Sequence, residues 1–292
     1  MVILLEPFFA GFMLRALTGG ALVAATCAIV GTWVVIRGMA FLGEALGHGM
    51  LPGVAIATLL GVPAIIGGAA SAVVMSAAIG ALQRRERLSY DTSIGLLFVG
   101  MLSLGVIIVS HSRSFATDAT AMLFGDVLAI TAGDIVVMAI ALAVTAAVAL
   151  AFHRSFVAAA FDPRVARTLG LRPHLAHVAL TGLVTLAVVS AFQAVGTLLV
   201  VGMLLAPAVA AGHWTRSIGS TMALATAFGV VAVATGLAVS WFAATAAGAT
   251  IAGSAIAFAA LSSVAARATR RLRLARGAHV DARPLDLTES HA

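Results

Sequence analysis

The stretch from Phe8 to Ile36 carries one charged residue, Arg15, and is longer than the hydrocarbon core of a bilayer requires. Apolar runs of similar length recur at 38–60, 63–82, 92–109, 135–152, 175–191, 195–211, 217–242 and 248–266. A backbone in lipid must satisfy its own N–H and C=O groups, and runs of this length do so as helices. The fold expected is all-α, a polytopic membrane protein with nine crossings, or eight if a short segment fails to cross. Composition agrees: 62% of residues are hydrophobic, 10% are charged, and the mean hydropathy is +1.12. A soluble domain has no means of hiding that much apolar surface.

The charge sits in the connections. All 17 basic residues are Arg. They gather at 37, 84–87, 154–172, 216 and 267–276, the pattern of short cytoplasmic loops. This explains the pI of about 11.3 better than nucleic acid does. The 111–130 stretch is polar with little positive charge and is placed outside. The reading is one membrane domain, residues 1–266, and a cytoplasmic, Arg-rich, disordered tail, residues 267–292. One cysteine, Cys27, excludes a disulfide framework or a zinc finger. MVILLEPFF lacks a basic n-region and a cleavage site, so it is not read as a removed signal peptide.

Within the second run, Glu44 and His48 stand four positions apart, on one face of a helix. A charge in hydrocarbon costs roughly 3 kcal/mol, so such groups face protein or a water-filled path. Carboxylate and imidazole together suit divalent cations. A solvated pair at the membrane boundary satisfies the same spacing. Pro52–Gly53 is expected to bend the helix just beyond it. The runs at 175–191 and 195–211 are expected to form a hairpin about Gln193 and Gly196, and Pro207 interrupts the second of them.

The most polar interior connection contains Asp162 and Pro163, an N-cap followed by a first-turn proline. Gly170 ends the short helix they begin. Such a helix suits docking of a soluble partner and suits equally a solvated connector. The isolated histidines His174, His177 and His213 fit interfacial positions, and Met39, Met50 and Met203 fit packing. No G-x-x-x-x-G-K-[ST] loop is present, so energy for uphill transport has to come from a partner or an ion gradient. A lone E-x-x-x-H in place of H-E-x-x-H argues against an intramembrane metalloprotease.

Five stretches in order, RGMAFLGEALGHGMLPGVA (37–55), DTSIGLLFVGMLSLGVIIVS (91–110), MLFGDVLAI (122–130), FDPRVARTLGL (161–171) and VGTLLVVGMLLAPAVAA (195–211), carry a resemblance. They resemble the membrane subunit of ATP-binding-cassette importers for zinc, manganese and iron, the metal ABC-3 permease family. The resemblance implies a type II-like importer permease, a transport subunit without enzymatic activity of its own. It also implies a second permease subunit, separate ABC ATPase subunits, and an extracytoplasmic metal-binding protein above. The metal is cargo, with no permanently bound cofactor, and the site is a bacterial-type plasma membrane. Glu44 and His48 map onto the family's acid-x-x-x-His, where members often carry Asp. Asp162, Pro163, Arg164, Arg167 and Gly170 map onto the loop that contacts the ATPase. His111, Asp118 and Asp126 fall in the outer region near the binding protein. A siderophore- or cobalamin-type permease and a gradient-driven secondary carrier remain the alternatives, and metal choice is not carried over.

Overall fold

The structure, a computed structural model, describes residues 11–83, 89–110 and 125–281. Among these, eight helices are long and apolar enough to cross a membrane. The helices are α1 (Gly11–Ile36), α2 (Ala40–Gly49), α3 (Leu51–Leu59), α4 (Ala64–Gln83) and α5 (Tyr90–Ser110). There follow α6 (Ala132–Ala151), α7 (His153–Phe161), α8 (Pro163–Thr168), α9 (Pro173–Gly212), α10 (Ile218–Ala243) and α11 (Ala247–Asp281). α2 and α3 together make one span.

The bundle is built around α1. Met13, Ala16, Val23, Ala24, Cys27, Val30 and Trp33 are all buried, and α1 packs on α6, α9 and α10. Lipid tails are as apolar as leucine, so close approach of backbones does much of the holding. At Gly31 a Cβ would run into the carbonyl of Leu204 on α9. At the opposite end, Arg15 Nε donates to the carbonyl of Ile130 at 3.1 Å, tying α1 to the segment before α6. Thr131 and Asp134 form a capping box that starts α6.

The second span is broken where proline requires it. Pro52 has no N–H for the carbonyl four residues back, and the helix divides at Met50, two residues past His48. Ser71 on α4 donates to the Gly49 carbonyl at 2.6 Å. Beyond the break, Gly53 and Gly67 face each other so closely that a Cβ on either would meet the other's carbonyl.

The long α9 doubles back. Straight, the 27 steps from His177 to Leu204 would cover about 40 Å. Yet His177 lies against Tyr90, ring centroids 5.4 Å apart, and within electrostatic reach of Arg37 at the end of α1. Leu204 lies against Gly31, only about 9 Å before Arg37 along α1. The return limb runs beside α11, with Gly202 at Ala252 and Ser262 donating to the Ala210 carbonyl at 2.8 Å. The reversal is made at Gly196, whose φ of 69° and ψ of 166° are the only non-helical dihedrals in α9. The hairpin expected about Gln193 and Gly196 is thus made by one residue rather than by a loop. Pro207 stays inside the limb without breaking it. The limb Leu199–Gly212 reaches about 21 Å, short of a full crossing. Eight long spans and one short limb reconcile the two span counts expected from sequence.

At the other terminus, α11 continues as helix to Asp281, past the expected end of the membrane domain at residue 266.

Candidate functional site

Glu44 and His48 project from one face of α2, with Glu44 Oε1 3.1 Å from His48 Nε2. The pair lies inside a membrane span. The opposite face of α2 is packed: Gly43 sits under Leu204 and Gly49 under Met75, where a Cβ would collide with either. The rotation of α2 is therefore set by two side chains it receives, and the polar pair is turned the other way. There it meets α5. The His48 ring stands edge-on to Phe98 at 5.6 Å, and Phe98 in turn meets Phe41 at 5.5 Å.

The pair remains accessible within one chain, the His48 side chain 23% and the Glu44 side chain 40% exposed. Two donors 3.1 Å apart subtend about 95° at an ion roughly 2.1 Å from each, so both could bind one ion with little movement. Among the described residues no group of three or more His, Cys, Asp or Glu side chains is placed to hold a metal. One chain offers a two-donor site.

The interior connection forms the helix its sequence calls for. Asp162, in extended conformation between α7 and α8, accepts from the Arg164 N–H at 2.7 Å. The far end closes as a Schellman motif: Leu171 N–H donates to the Ala166 carbonyl and Gly170 N–H to that of Arg167, both at 3.0 Å. Gly170 has φ of +72°, a left-handed conformation that glycine accepts without cost. Arg164 and Arg167 are exposed. So are two large apolar side chains flanking the helix, Phe161 at 88% and Leu169 at 66%.

Residues 10–266 match the ABC 3 transport family. The chain belongs to that family. It is 36% identical over 238 residues to the manganese transport system membrane protein MntC of Listeria innocua, covering 82% of this chain and 85% of that one. It is 33% identical to the chelated iron transport system membrane protein YfeD of Yersinia pestis, covering 81% and 79%. Its structure is similar to PsaBC from Streptococcus pneumoniae, solved in complex with a Fab. There the TM-score is 0.79 at 30% identity, with 90% of this chain and 95% of that one covered.

In this ABC 3 chain, then, the sequence-expected residues divide into three groups. Glu44 and His48 are brought together; Asp162, Pro163, Arg164, Arg167 and Gly170 lie on one capped helix. Asp126 spends its carboxylate on the Ala129 N–H at 3.2 Å, capping a short 3-10 helix. His111 and Asp118 lie outside the described residues. Sequence reasoning missed Phe98 and Phe41, which look like any lipid-facing phenylalanine until α2 and α5 are side by side. Arg37, which sequence places only in a connection, is half-buried, and burial pulls its pKa below the ordinary arginine value while nearby Tyr90 opposes the shift.

Proposed function

We propose that the chain is the membrane-spanning subunit of an ATP-driven importer of divalent metal ions, of the manganese and iron class to which its named relatives belong. The observation that carries this reading is the Glu44–His48 pair, held at chelating distance inside a membrane span of an ABC 3 chain. The ion is cargo. A site of two donors falls short of the four to six that such ions take, which suits a place where an ion pauses and leaves. Two copies meeting across a two-fold axis would bring two carboxylates and two imidazoles to one path, with water completing the shell.

On this reading the Arg-rich end faces the cytoplasm, together with the C-terminus and the 267–292 tail, in a bacterial-type plasma membrane. The α7–α8 corner, with Phe161 and Leu169 exposed around Arg164, Arg167 and Gly170, docks a separate ABC ATPase, which performs the hydrolysis. The outer face, including His111, Asp118 and Asp126, receives metal from an extracytoplasmic binding protein.

Vesicles holding the chain with its ATPase test the reading, by uptake of radioactive manganese, iron and zinc with and without ATP. ATP-dependent uptake of at least one ion is expected. Equal uptake without the ATPase would make the chain a secondary carrier, and uptake of a chelate but no free ion would make it a siderophore-type permease.

A further inference from the structure

Between α4 and the outgoing limb of α9 lies a cavity of about 730 Å³, bounded along its length by Ala69, Val73, Ala77, Gly80, Val178 and Gly182. Two hydroxyls in its wall, Ser76 and Thr185, hydrogen-bond each other at 2.7 Å. At the end where α9 begins, the cavity takes in His174 and His177. His174 also lines a second cavity, of about 510 Å³, together with Arg167, Leu171 and Arg172. An apolar slot inside two membrane spans thus opens, at the end of the span, beside two exposed guanidinium groups.

That polarity is wrong for the cargo. A divalent cation needs oxygen or nitrogen ligands along its way, and two arginines at the mouth repel it. The polarity suits a phospholipid with a net negative headgroup. An acyl chain fills the apolar slot without losing contact with hydrocarbon. The phosphate reaches the level of Arg172, where guanidinium and phosphate form paired charge-assisted hydrogen bonds. The positive end of α9, starting at Pro173, faces the same level.

We propose that this slot is a binding site for one anionic phospholipid per chain, its tail between α4 and α9 and its headgroup on Arg172 and His174. Bound there, the lipid cements the seam between α4 and α9 beside the α8 corner. Gly80 and Gly182 supply clean probes, because a Cβ at either meets no atom within 4 Å. A leucine at either position would project its side chain into the slot.

The full-length chain assembled with its ATPase is purified from vesicles of equal phosphatidylglycerol and phosphatidylethanolamine, and retained lipid is counted by native mass spectrometry. One retained phosphatidylglycerol per chain is expected. Arg172→Gln should lower its retention about fivefold, the factor one arginine supplies beside an anionic headgroup, without raising the amount of phosphatidylethanolamine. Gly182→Leu, with Gly80→Leu as a second variant that narrows the slot should the first assemble poorly, should lower retention of the lipid as well. Equal retention of both lipids by the wild type would overturn the proposal, as would retention unchanged in these variants. Phosphatidylglycerol bound to the isolated permease but lost on assembly would overturn it too, and would assign the arginines to the ATPase.

Discussion

The hydroxyl of Ser71 on α4 donates to the carbonyl of Gly49 on α2 at 2.6 Å, one residue past His48. Pro52 leaves the helix broken at this point, and in lipid no water is available to satisfy the freed backbone groups. Ser71 therefore fixes the end of the very turn that carries the imidazole. Ser71→Ala should lower stability by about 1 kcal/mol, the scale of one interhelical hydrogen bond in a membrane. It should also loosen the Glu44–His48 geometry. Thermal unfolding in detergent and the concentration dependence of uptake check the two effects; a stable variant with unchanged uptake would show the bond to be idle.

Glu44→Gln keeps the shape of the side chain and removes its charge. With one anionic ligand gone from a two-donor site, uptake should fall tenfold or more, about 1.4 kcal/mol in effective affinity. His48→Ala should fall as far, and Glu44→Asp, which keeps the charge on a shorter arm, should fall less. Uptake of radioactive manganese and iron in cells lacking other importers measures all three. Near-normal uptake by Glu44→Gln and His48→Ala alike would reduce the pair to a structural contact.

How much of this was legible beforehand depended on the range of the interaction. Helices, their ends and the Glu44–His48 spacing are local, so apolar run length, Asp162, Pro163 and Gly170 announced them. The direction in which the pair points is not local. It follows from Leu204 and Met75 filling the back of α2 and Phe98 lying in front, contacts between residues up to 161 positions apart in sequence. A phenylalanine in an apolar run carries no mark that distinguishes facing His48 from facing lipid. The turn at Gly196 was visible as a glycine near a polar glutamine, yet the sequence suggested a loop. The structure reverses the chain at one residue because only that residue leaves helical dihedrals.

Gly170 separates conformation from crowding. A Cβ there meets nothing within 4 Å, so any effect of substitution comes from φ alone. Gly170→Val should cost about 1–2 kcal/mol at the helix end, while Gly170→Asn, which tolerates the left-handed region, should cost less. On the proposed docking role, the valine variant inserts normally but stimulates its ATPase poorly, and the asparagine variant sits between it and the wild type. Full coupled hydrolysis in both, measured in vesicles, would remove this corner from the ATPase interface.

The orientation is open to direct labelling. Cys27 is wholly buried on α1, so Cys27→Ala provides a background with little disturbance beyond one lost side chain. Single cysteines placed at Arg216 and Asp126 should then report opposite sides. A membrane-impermeant maleimide added to intact cells should label the cysteine at 126 and reach that at 216 only after permeabilisation. The reverse pattern would turn the bundle over, and with it the assignment of the Arg-rich end to the cytoplasm.

Gly196 holds φ of 69° with ψ of 166°, a region of dihedral space that is essentially closed to residues bearing a Cβ. The doubling back of α9 depends on it: the outgoing limb carries His177 to Tyr90, and the return limb carries Leu204 to Gly31 behind α2. Gly196→Ala should cost about 1–3 kcal/mol if the turn survives. Because the return limb packs the back of α2, relief of that strain should appear at Glu44 and His48 as well as in overall stability. The expected outcome is a lower unfolding temperature together with weaker uptake, whereas Gly253→Ala, on a regular part of α11 where a Cβ meets nothing within 4 Å, should lower neither. Equal behaviour of the two alanine variants would mean that the reversal does not need the glycine conformation.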